Sequence, residues 1–473
     1  MFTLGGHLTV QSLRMGGQIV LTRLLPPEVF GLMAIVHAFR AAFDLFSDIG
    51  ISPSIIQNER GEDPKFLNTA WTIQAVRGTC LFVFASLCAL PVSKFYGHPQ
   101  LAVLIPVASV SALIAGLQTT KVPLAERRLE LARTTLIEVL AQVAALVVMV
   151  TWALHAPSVW ALVAGALTGA STDVILSHLL LRGHNGRFGW DKASAQALLR
   201  FGRWIFISTI LTYAVGQADR LIFGKITSLA HLGIYHVALT IISVPTTAMH
   251  QLAGKVIFPL FSRVQQTGER LSEVFNQARR LHLVLSGWTL SGLIGGGQAA
   301  IGLIYEDTYA AGGWMLQIMG FGAWIATPDA TNGYMLLSRG QPRWLAAANF
   351  SKLVGMIVCM PLAYHFGGFP AALVAFAGTE FFRYATSTVG VYRHGLRTLR
   401  QDAGFALVLL AASVAGKLTV DFLVKRGVAV GLQALGVFVV ATLIWSPWLW
   451  PYARGFVGRW RRDQNSLDSA GPP

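Results

Sequence analysis

The stretch RTTLIEVLAQVAALVVMVTWALHAPSVWALVAGALTGASTDVILSHLLLR, residues 133–182, decides what kind of fold this chain adopts. It contains two long apolar runs, 134–155 and 158–181, which are joined only by Ala156 and Pro157. An apolar helix of about 20 residues crosses the hydrocarbon core of a bilayer. The stretch therefore predicts a transmembrane hairpin whose arginine-bearing ends lie on one side of a membrane and whose short turn lies on the other.

The same pattern continues along the whole chain and predicts about fourteen spans. The spans are placed at residues 2–24, 29–56, 68–92, 100–119, 134–155, 158–181, 203–224, 230–261, 281–304, 311–336, 345–366, 369–391, 404–424 and 428–449. Segments after even-numbered spans carry 24 Lys and Arg residues, the C-terminal tail included. Segments after odd-numbered spans carry only Lys94, Lys225, Lys425 and Arg426, once Arg23 is set aside. Because basic loops stay in the cytoplasm, both termini are predicted to be cytoplasmic.

Composition supports a membrane protein and argues against a soluble one. Of 473 residues, 54% are hydrophobic and 12% are charged, about half the charged fraction of a soluble domain. The net charge of +15 would indicate nucleic acid in a soluble protein, but here the bias toward basic cytoplasmic loops explains it. The same charges favour anionic lipid headgroups. We expect no nucleic acid partner, no disulfide among the three cysteines and no cleaved leader.

Two segments about two hundred residues apart resemble each other. RLLPPEVFGLMA at 23–34 aligns with KITSLAHLGIYH at 225–236, so that Gly31 corresponds to Gly233. Both copies leave odd-numbered spans and run in the same direction, which predicts two parallel six-helix lobes around a central cavity. The predicted lobes are 1–200 and 201–400; an appended helix pair at 401–450 and a basic, then polar tail at 451–473 follow.

Several motifs resemble a known family. They are LTRLLPPEVFGLMAI at 21–35, LFSDIGISPSIIQ at 45–57, ADRLIFG at 218–224 and FPLFSRV at 258–264. In order and spacing they are similar to Wzx-type polysaccharide flippases of the multidrug/oligosaccharidyl-lipid/polysaccharide exporter superfamily. The resemblance implies a multi-pass inner-membrane protein that moves an undecaprenyl-diphosphate-linked oligosaccharide to the periplasmic leaflet. It also implies assembly of exopolysaccharide, capsule or O-antigen, and leaves association with polymerase and export proteins open.

Basic residues within predicted spans are candidates for contact with the substrate, because an ionisable group at membrane depth is costly unless it faces protein or water. A diphosphate headgroup is anionic, and Arg offers it a fork of donors whereas Lys offers a point charge. The resemblance further implies that spans 1, 2, 7 and 8 line the cavity. The predicted substrate-binding residues are Arg14, Arg40, Arg220 and Lys255, followed by Arg77 and Lys352.

Acidic residues within spans are candidates for coupling transport to H⁺ or Na⁺, and no other cofactor is expected. The candidates are Asp48, Asp173 and Asp329, for which helix capping or ion pairing is the alternative role. Glu380 and Arg383, three residues apart, are predicted to neutralise each other.

Glycine and tryptophan patterns give further expectations. The spacing of Gly165 and Gly169, and of Gly292 and Gly296, predicts close helix approaches. The run Gly295-Gly296-Gly297 suggests a hinge, and Trp445, Trp448 and Trp450 suggest a lipid-interface belt.

Three alternative functions compete with a polysaccharide flippase. A multidrug exporter of the same superfamily is expected to have an acidic or aromatic cavity, which the excess of basic residues disfavours. A lipid II flippase is the nearest rival by mechanism. A membrane-embedded polymerase or ligase would need a large periplasmic loop, and the sequence contains no metal-ligand spacing or Ser/His/Asp arrangement. We therefore expect a transporter and not an enzyme.

Overall fold

The computed structural model describes residues 2–46, 51–57, 60–128, 130–184, 186–261 and 271–469. These segments form helices joined by short connections, with no strand among them. The helices are α1 (Phe2–Leu24), α2 (Pro27–Phe46), α3 (Ile51–Gln57), α4 (Pro64–Tyr96), α5 (Leu101–Gly116), α6 (Lys121–Arg127), α7 (Leu131–His155), α8 (Val159–Leu180), α9 (Lys192–Ile226), α10 (Leu229–Leu252), α11 (Leu271–Ile304), α12 (Gly312–Ser338), α13 (Arg343–Tyr392), α14 (Leu399–Lys425) and α15 (Val430–Ser469). A π-helical turn, Ala253–Ile257, extends α10, and a 3₁₀ turn, Asp307–Tyr309, precedes α12.

Within the described residues, seven helices are long and apolar enough to cross a membrane. An eighth span results if α5 and α6, which meet at 58°, form one broken span. The predicted all-α polytopic architecture is confirmed. The count of about fourteen spans and the cytoplasmic location of both termini stay predictions.

Helix α13 is two antiparallel helices that meet at a glycine pair. Gly367 and Gly368 depart from helical geometry, and Gly368 has φ 65°, a left-handed conformation that glycine adopts without strain. The Ser351 hydroxyl lies 3.1 Å from the Thr386 hydroxyl, so the two arms run back along each other. We call the arms α13a (343–366) and α13b (369–392). Their boundary lies where the sequence predicted a two-residue connection.

The chain divides into two compact units, 1–236 and 237–473, so the boundary falls within α10. In the first unit α1 packs on α7, α7 on α8, α4 on α5, and α9 on α2 and α4. In the second unit α11 packs on α12, α14 and α15, while α12 packs on α13. The lobe boundaries predicted from the internal repeat stay a prediction.

Helix α4 illustrates how the sequence sets helix ends. The Asp63 side chain accepts a hydrogen bond from the Lys65 backbone N–H at 3.0 Å, and Pro64 occupies the first helical position, where no N–H is needed. At the other end Gly97, with φ 75°, donates its N–H to the Ser93 carbonyl. Both the start signal and the stop signal are readable in the sequence.

Three predicted cytoplasmic connections meet at one end of the first unit. Arg60 forms an ion pair with Asp63 at 2.7 Å and lies 3.8 Å from Asp191, while Arg128 binds Glu62 at 3.0 Å. The hydrogen bond from Arg128 lowers the pKa of Glu62, and the bond from Arg60 lowers the pKa of Asp63. The connections after predicted spans 2, 4 and 6 thus share one side, as the charge alternation requires.

The two repeat-related glycines contact each other. A Cβ atom at Gly31 would lie 2.1 Å from the Leu229 carbonyl oxygen, and a Cβ at Gly233 would lie 1.8 Å from the Pro27 carbonyl oxygen. Each would also lie 3.1 Å from the other glycine's nitrogen. The first turns of α2 and α10 therefore cross with their backbones in contact, and only glycine fits at either position.

The glycine run at 295–297 serves helix packing, and α11 is continuous through it. The hinge stays a prediction. A Cβ at Gly295 would lie 2.8 Å from the Ser413 carbonyl oxygen on α14, and one at Gly297 would lie 2.7 Å from the Gly313 carbonyl oxygen on α12. Gly292 faces open space, so the predicted Gly292–Gly296 pair does not act as one close approach. Gly165 and Gly169 do pack tightly against α7, as predicted.

The expectation that Trp445 lies in an interfacial belt is wrong, because its side chain is 0% exposed. Its ring lies over Gly287 of α11, where a Cβ would approach it to 2.2 Å, and its indole N–H donates to the Ser291 hydroxyl at 3.2 Å. Trp450 remains exposed, as predicted. Trp445 thus docks α15 on α11, with its indole nitrogen satisfied inside the protein.

A buried arginine joins four helices of the second unit. Arg279 of α11 is 0% exposed and binds both carboxylate oxygens of Asp402 on α14 at 2.7 Å each. Its second terminal nitrogen donates to the Thr331 hydroxyl at 2.6 Å and to the Asn332 side-chain oxygen at 2.7 Å, both on α12. The Tyr384 hydroxyl of α13b donates to Asp402 at 2.6 Å. The charges are therefore paired and hydrogen-bonded, which a buried ion pair requires.

The sequence prediction does not include this network because it begins two helices too late. Predicted span 9 begins at residue 281 and predicted span 13 at residue 404, whereas α11 begins at Leu271 and α14 at Leu399. Arg279 therefore counts as a loop charge, and Asp402 is not a candidate. A signal was present in Asn332 and Tyr384, polar residues within otherwise apolar predicted spans that need partners inside the protein.

Replacing either crossing glycine should destabilise the protein. Gly31→Ala and Gly233→Ala each force a methyl group onto a backbone carbonyl, and overpacking of this kind costs roughly 1–3 kcal/mol or more. Gly16→Ala on α1 is the control, because its Cβ would meet no atom within 4 Å. We expect a lower thermal midpoint in detergent for the first two variants only. Equal midpoints for all three variants would contradict the close crossing.

Replacing one partner of the buried ion pair should cost more than replacing both. Arg279→Met or Asp402→Leu alone leaves an unpaired buried charge, at a cost of roughly 3–5 kcal/mol. The double variant should lose clearly less than the sum of the two single losses. Arg339→Met, at an exposed arginine that ends α12, is the control. The free energy of unfolding is measured by denaturant titration in detergent, and strictly additive losses would argue against direct pairing.

Candidate functional site

Two predicted substrate-binding arginines lie close to the same histidine in the first unit. Arg40 on α2 and Arg220 on α9 both act electrostatically on the His37 imidazole, and Arg220 also acts on His236 of α10. His37 is exposed, and Arg40, Arg220 and His236 are partly exposed. These four side chains define the cationic cluster. Neither His37 nor His236 is among the site residues predicted from the sequence, although any ionisable residue at membrane depth is a candidate.

Arg220 has no carboxylate partner among the described side chains. Its guanidinium donates to the Gly216 carbonyl at 3.2 Å and to the Gln217 side-chain oxygen. Asp219, its neighbour in sequence, is turned away by about 100° on the helix. That carboxylate is buried and accepts a hydrogen bond from the Tyr235 hydroxyl at 2.5 Å. The positive charge of Arg220 is therefore available to an anionic ligand.

The cluster combines two guanidinium groups with two imidazoles, and such a set can bind a phosphate-bearing ligand. Guanidinium groups present paired N–H donors that match phosphate oxygens, and an imidazole donates one further hydrogen bond when neutral. The described part of the chain contains no group of three or more His, Cys, Asp or Glu side chains that could hold a metal ion.

Arg77 and Asp173 line a second site in the first unit, a cavity of about 360 Å³. Asp173 accepts a hydrogen bond from the Gln118 side-chain amide at 2.6 Å, and Gln118 in turn accepts one from Ser177 at 2.6 Å. The hydrogen-bond partners of Asp173 are therefore uncharged, and its cavity is also lined by Arg77, a predicted substrate-binding residue.

Arg14 lies apart from these groups on α1. Its side chain is exposed, and its Nε donates to the Gln142 side-chain oxygen of α7 at 3.1 Å. Lys255 falls in the π-helical turn, and its side chain lies outside what the structure describes, as does Asp48 altogether. The roles predicted for these residues stay predictions.

The second unit gathers Lys352 and Asp329 into an ion-pair network. Lys352 of α13a binds Glu380 of α13b at 2.5 Å, and Arg383 binds Asp329 of α12 at 2.7 Å. The predicted pairing of Glu380 with Arg383 is present at 3.8 Å, although the shorter contacts connect different helices. His250 lies beside the network, lining a cavity of about 160 Å³ with Asp329 and Arg383. The charges of Lys352 and Asp329 are therefore largely neutralised.

Comparison with known proteins places the chain in a family. A family model described as "Polysaccharide biosynthesis protein" matches residues 20–311, well over half of the chain. Lipopolysaccharide biosynthesis protein WzxC of Escherichia coli is 26% identical over 53% of this chain and 51% of its own length. Succinoglycan biosynthesis transport protein ExoT of Rhizobium meliloti is 22% identical over 66% and 63%. The chain therefore matches about half to two-thirds of the length of these relatives.

Solved structures support the fold. Lipid II flippase MurJ in an inward closed conformation aligns with a TM-score of 0.75 at 12% identity, over 96% of this chain and 99% of its own. An inward-facing MATE transporter of the MOP superfamily aligns with 0.63 at 11% identity, over 84% and 95%. At these identities the likeness concerns the fold alone. With its apolar helices and its family match, the chain is a multi-pass protein of the bacterial inner membrane and belongs to the polysaccharide biosynthesis protein family.

Proposed function

We propose that this protein is a flippase for an undecaprenyl-diphosphate-linked oligosaccharide. It moves the repeat unit from the cytoplasmic to the periplasmic leaflet by alternating access, for assembly of exopolysaccharide, capsule or O-antigen. Family membership supports polysaccharide biosynthesis, and the names of ExoT and MurJ, a transport protein and a flippase, support a transporter in place of an enzyme. The observation that carries the proposal is the cationic cluster of Arg40, Arg220, His37 and His236.

The cluster suits the headgroup that all such substrates share. A diphosphate leaving water must exchange its hydration shell for fixed donors, and guanidinium groups supply the strongest of these. Arg220 provides a charge that no described carboxylate neutralises, because Asp219 is bound to Tyr235. The glycan itself would be selected by cavity shape and scattered contacts, which differ between members of one fold.

Coupling to H⁺ or Na⁺ is proposed at Asp173. Its hydrogen-bond donor is a neutral amide, and it faces a cavity of about 360 Å³, so a cation can reach the carboxylate. Asp329 is less suited, because its carboxylate would first have to leave Arg383. Association with polymerase and export proteins also remains part of the proposal.

A lipid II-type substrate is the alternative supported by a specific observation, the fold likeness to MurJ over nearly the whole chain. It uses the same diphosphate chemistry, so the cationic cluster fits both. A multidrug exporter of cationic compounds is disfavoured, because a cluster of arginines repels a cationic ligand.

The proposal is tested by measuring flipping directly. Purified protein is placed in liposomes that carry a fluorescent polyprenyl-diphosphate oligosaccharide, and a membrane-impermeant probe reports which leaflet holds the sugar. Arg40→Gln and Arg220→Gln should each slow exchange roughly tenfold or more, since a hydrogen bond to a charged group contributes about 1.5–3 kcal/mol.

Arg339→Gln is the matched control, because this exposed arginine lies outside the cluster. Arg14→Gln and Lys255→Gln measure the other predicted contacts in the same assay. Unchanged flipping in both cluster variants would refute the site, and transport of small cationic dyes without flipping would refute the function.

The role of Lys352 is tested by replacing both members of its ion pair with Glu380 by uncharged residues. If Lys352 serves only to balance Glu380, Lys352→Met should lower the thermal midpoint and flipping, and Lys352→Met with Glu380→Gln should restore both. A substrate contact predicts a different result, in which the midpoint recovers in the double variant while flipping stays low. We expect full restoration, measured as flipping rate and midpoint on the same preparations.

A further inference from the structure

A cleft opens between α11, α14 and α15 in the second unit, and none of its residues belongs to the cationic cluster. Its volume is about 400 Å³. Arg280 and Gln277 of α11 and Arg400 of α14 line one part, and Phe405 and Trp448 line the other. We call it the α11–α15 cleft. One part is basic and polar, and the other is apolar and aromatic.

Both arginines of the cleft are exposed, and no carboxylate among the described side chains lies within ion-pairing distance of either. The acid closest to Arg400 in sequence is Asp402, which is buried and already bound by Arg279 and Tyr384. Two adjacent guanidinium groups without a counter-charge repel each other. Their arrangement favours an anion that both can contact.

Gln401 contributes an unsatisfied acceptor. Its side-chain nitrogen donates to the Asn276 carbonyl at 3.1 Å, which fixes the orientation of the amide. Its side-chain oxygen is buried and has no hydrogen-bond partner. Leaving such a group unpaired costs roughly 1–3 kcal/mol, which favours a turn of the Gln401 side chain that presents this oxygen to a hydroxyl donor in the cleft. Gln401 lines the same cleft as the two arginines.

The apolar part is a rigid aromatic surface. Phe405 stacks on Trp445 with ring centroids 6.0 Å apart and meets the Trp448 ring edge-on at 5.9 Å. Trp448 is partly exposed, whereas Trp445 behind it is buried. An aliphatic chain that packs along this surface would remove its apolar area from water, which is favourable.

The cleft lies at the end of the second unit whose connections are predicted to be cytoplasmic. Helices α11 and α14 begin at this end of the unit, and α12 and α13 end here. The basic residues Arg339, Arg343, Arg393 and Arg397 lie at the same helix ends, within connections predicted to be cytoplasmic. The cytoplasmic leaflet is rich in anionic lipid, and basic pockets between helices on that side suit anionic headgroups.

We propose that the α11–α15 cleft binds one anionic phospholipid, with phosphatidylglycerol as the fitting chemistry. The phosphate lies between Arg280 and Arg400, a headgroup hydroxyl donates to the Gln401 oxygen, and an acyl chain lies on Phe405 and Trp448. The lipid thereby ties α14 and α15 to α11. The site is independent of the flippase proposal, because it shares no residue with the cationic cluster.

Native mass spectrometry of the full chain in detergent, titrated with phosphatidylglycerol, tests this site. Arg280→Gln with Arg400→Gln should weaken the first lipid-binding step at least tenfold. Arg397→Gln is the matched control, an exposed arginine in the same connection that does not line the cleft. Phosphatidylcholine, which carries no net charge, should bind at least tenfold more weakly than phosphatidylglycerol.

Two further arms separate the contributions. Gln401→Leu should remove the preference for phosphatidylglycerol over phosphatidic acid, which has the phosphate without the headgroup hydroxyl. Glycerol 3-phosphate in excess should not displace the lipid, because the apolar surface contributes to binding. Trp448→Ala should weaken binding of phosphatidylglycerol, because the acyl chain loses part of its apolar surface.

The proposal is overturned if the double arginine variant binds phosphatidylglycerol like the parent protein, or if phosphatidylcholine binds equally. Displacement by glycerol 3-phosphate would instead identify a site for soluble phosphates. Should the double variant fail to fold, each single variant and Gln401→Leu still report on the headgroup contacts.

Discussion

A charge inside a membrane protein has to be satisfied by the protein or by water that the protein admits, since hydrocarbon satisfies neither charge nor hydrogen bond. The second unit meets this constraint with closed networks. Arg279 is held by Asp402, Lys352 by Glu380, and Arg383 by Asp329. Each pair joins different helices, so neutralising the charges also fixes how the helices pack.

The first unit meets the same constraint differently. The described hydrogen-bond partners of Arg220 are neutral, and the adjacent Asp219 accepts a hydrogen bond from Tyr235 instead. Side chains that stay partly exposed at this position depend on water or a ligand for their satisfaction. The contrast between the closed networks and this open arrangement is the physical reason to place ligand binding at Arg220 and not at Lys352.

The fold class was predictable because hydropathy and loop charge are local properties of the sequence. Helix ends marked by Asp63 and Gly97, and the break at Gly367 and Gly368, were equally local. Tertiary pairings were not predictable. The partner of Lys352 depends on how α13a returns along α13b, and the burial of Trp445 depends on Gly287 of another helix. Of the predicted substrate-binding residues, Arg40 and Arg220 both lie close to His37, which was not among the residues predicted from the sequence.

The contact of Gly31 with Gly233 has a consequence for the order in which the protein is made. The two residues touch backbone to backbone, yet about two hundred residues separate them. At a synthesis rate of roughly 5–20 residues per second, α2 waits in the membrane on the order of 10–40 s before α10 exists. During that interval its glycine face has no backbone partner of its own chain. The first unit therefore cannot form this crossing until Gly233 has been made, only a few residues before the unit itself ends at residue 236.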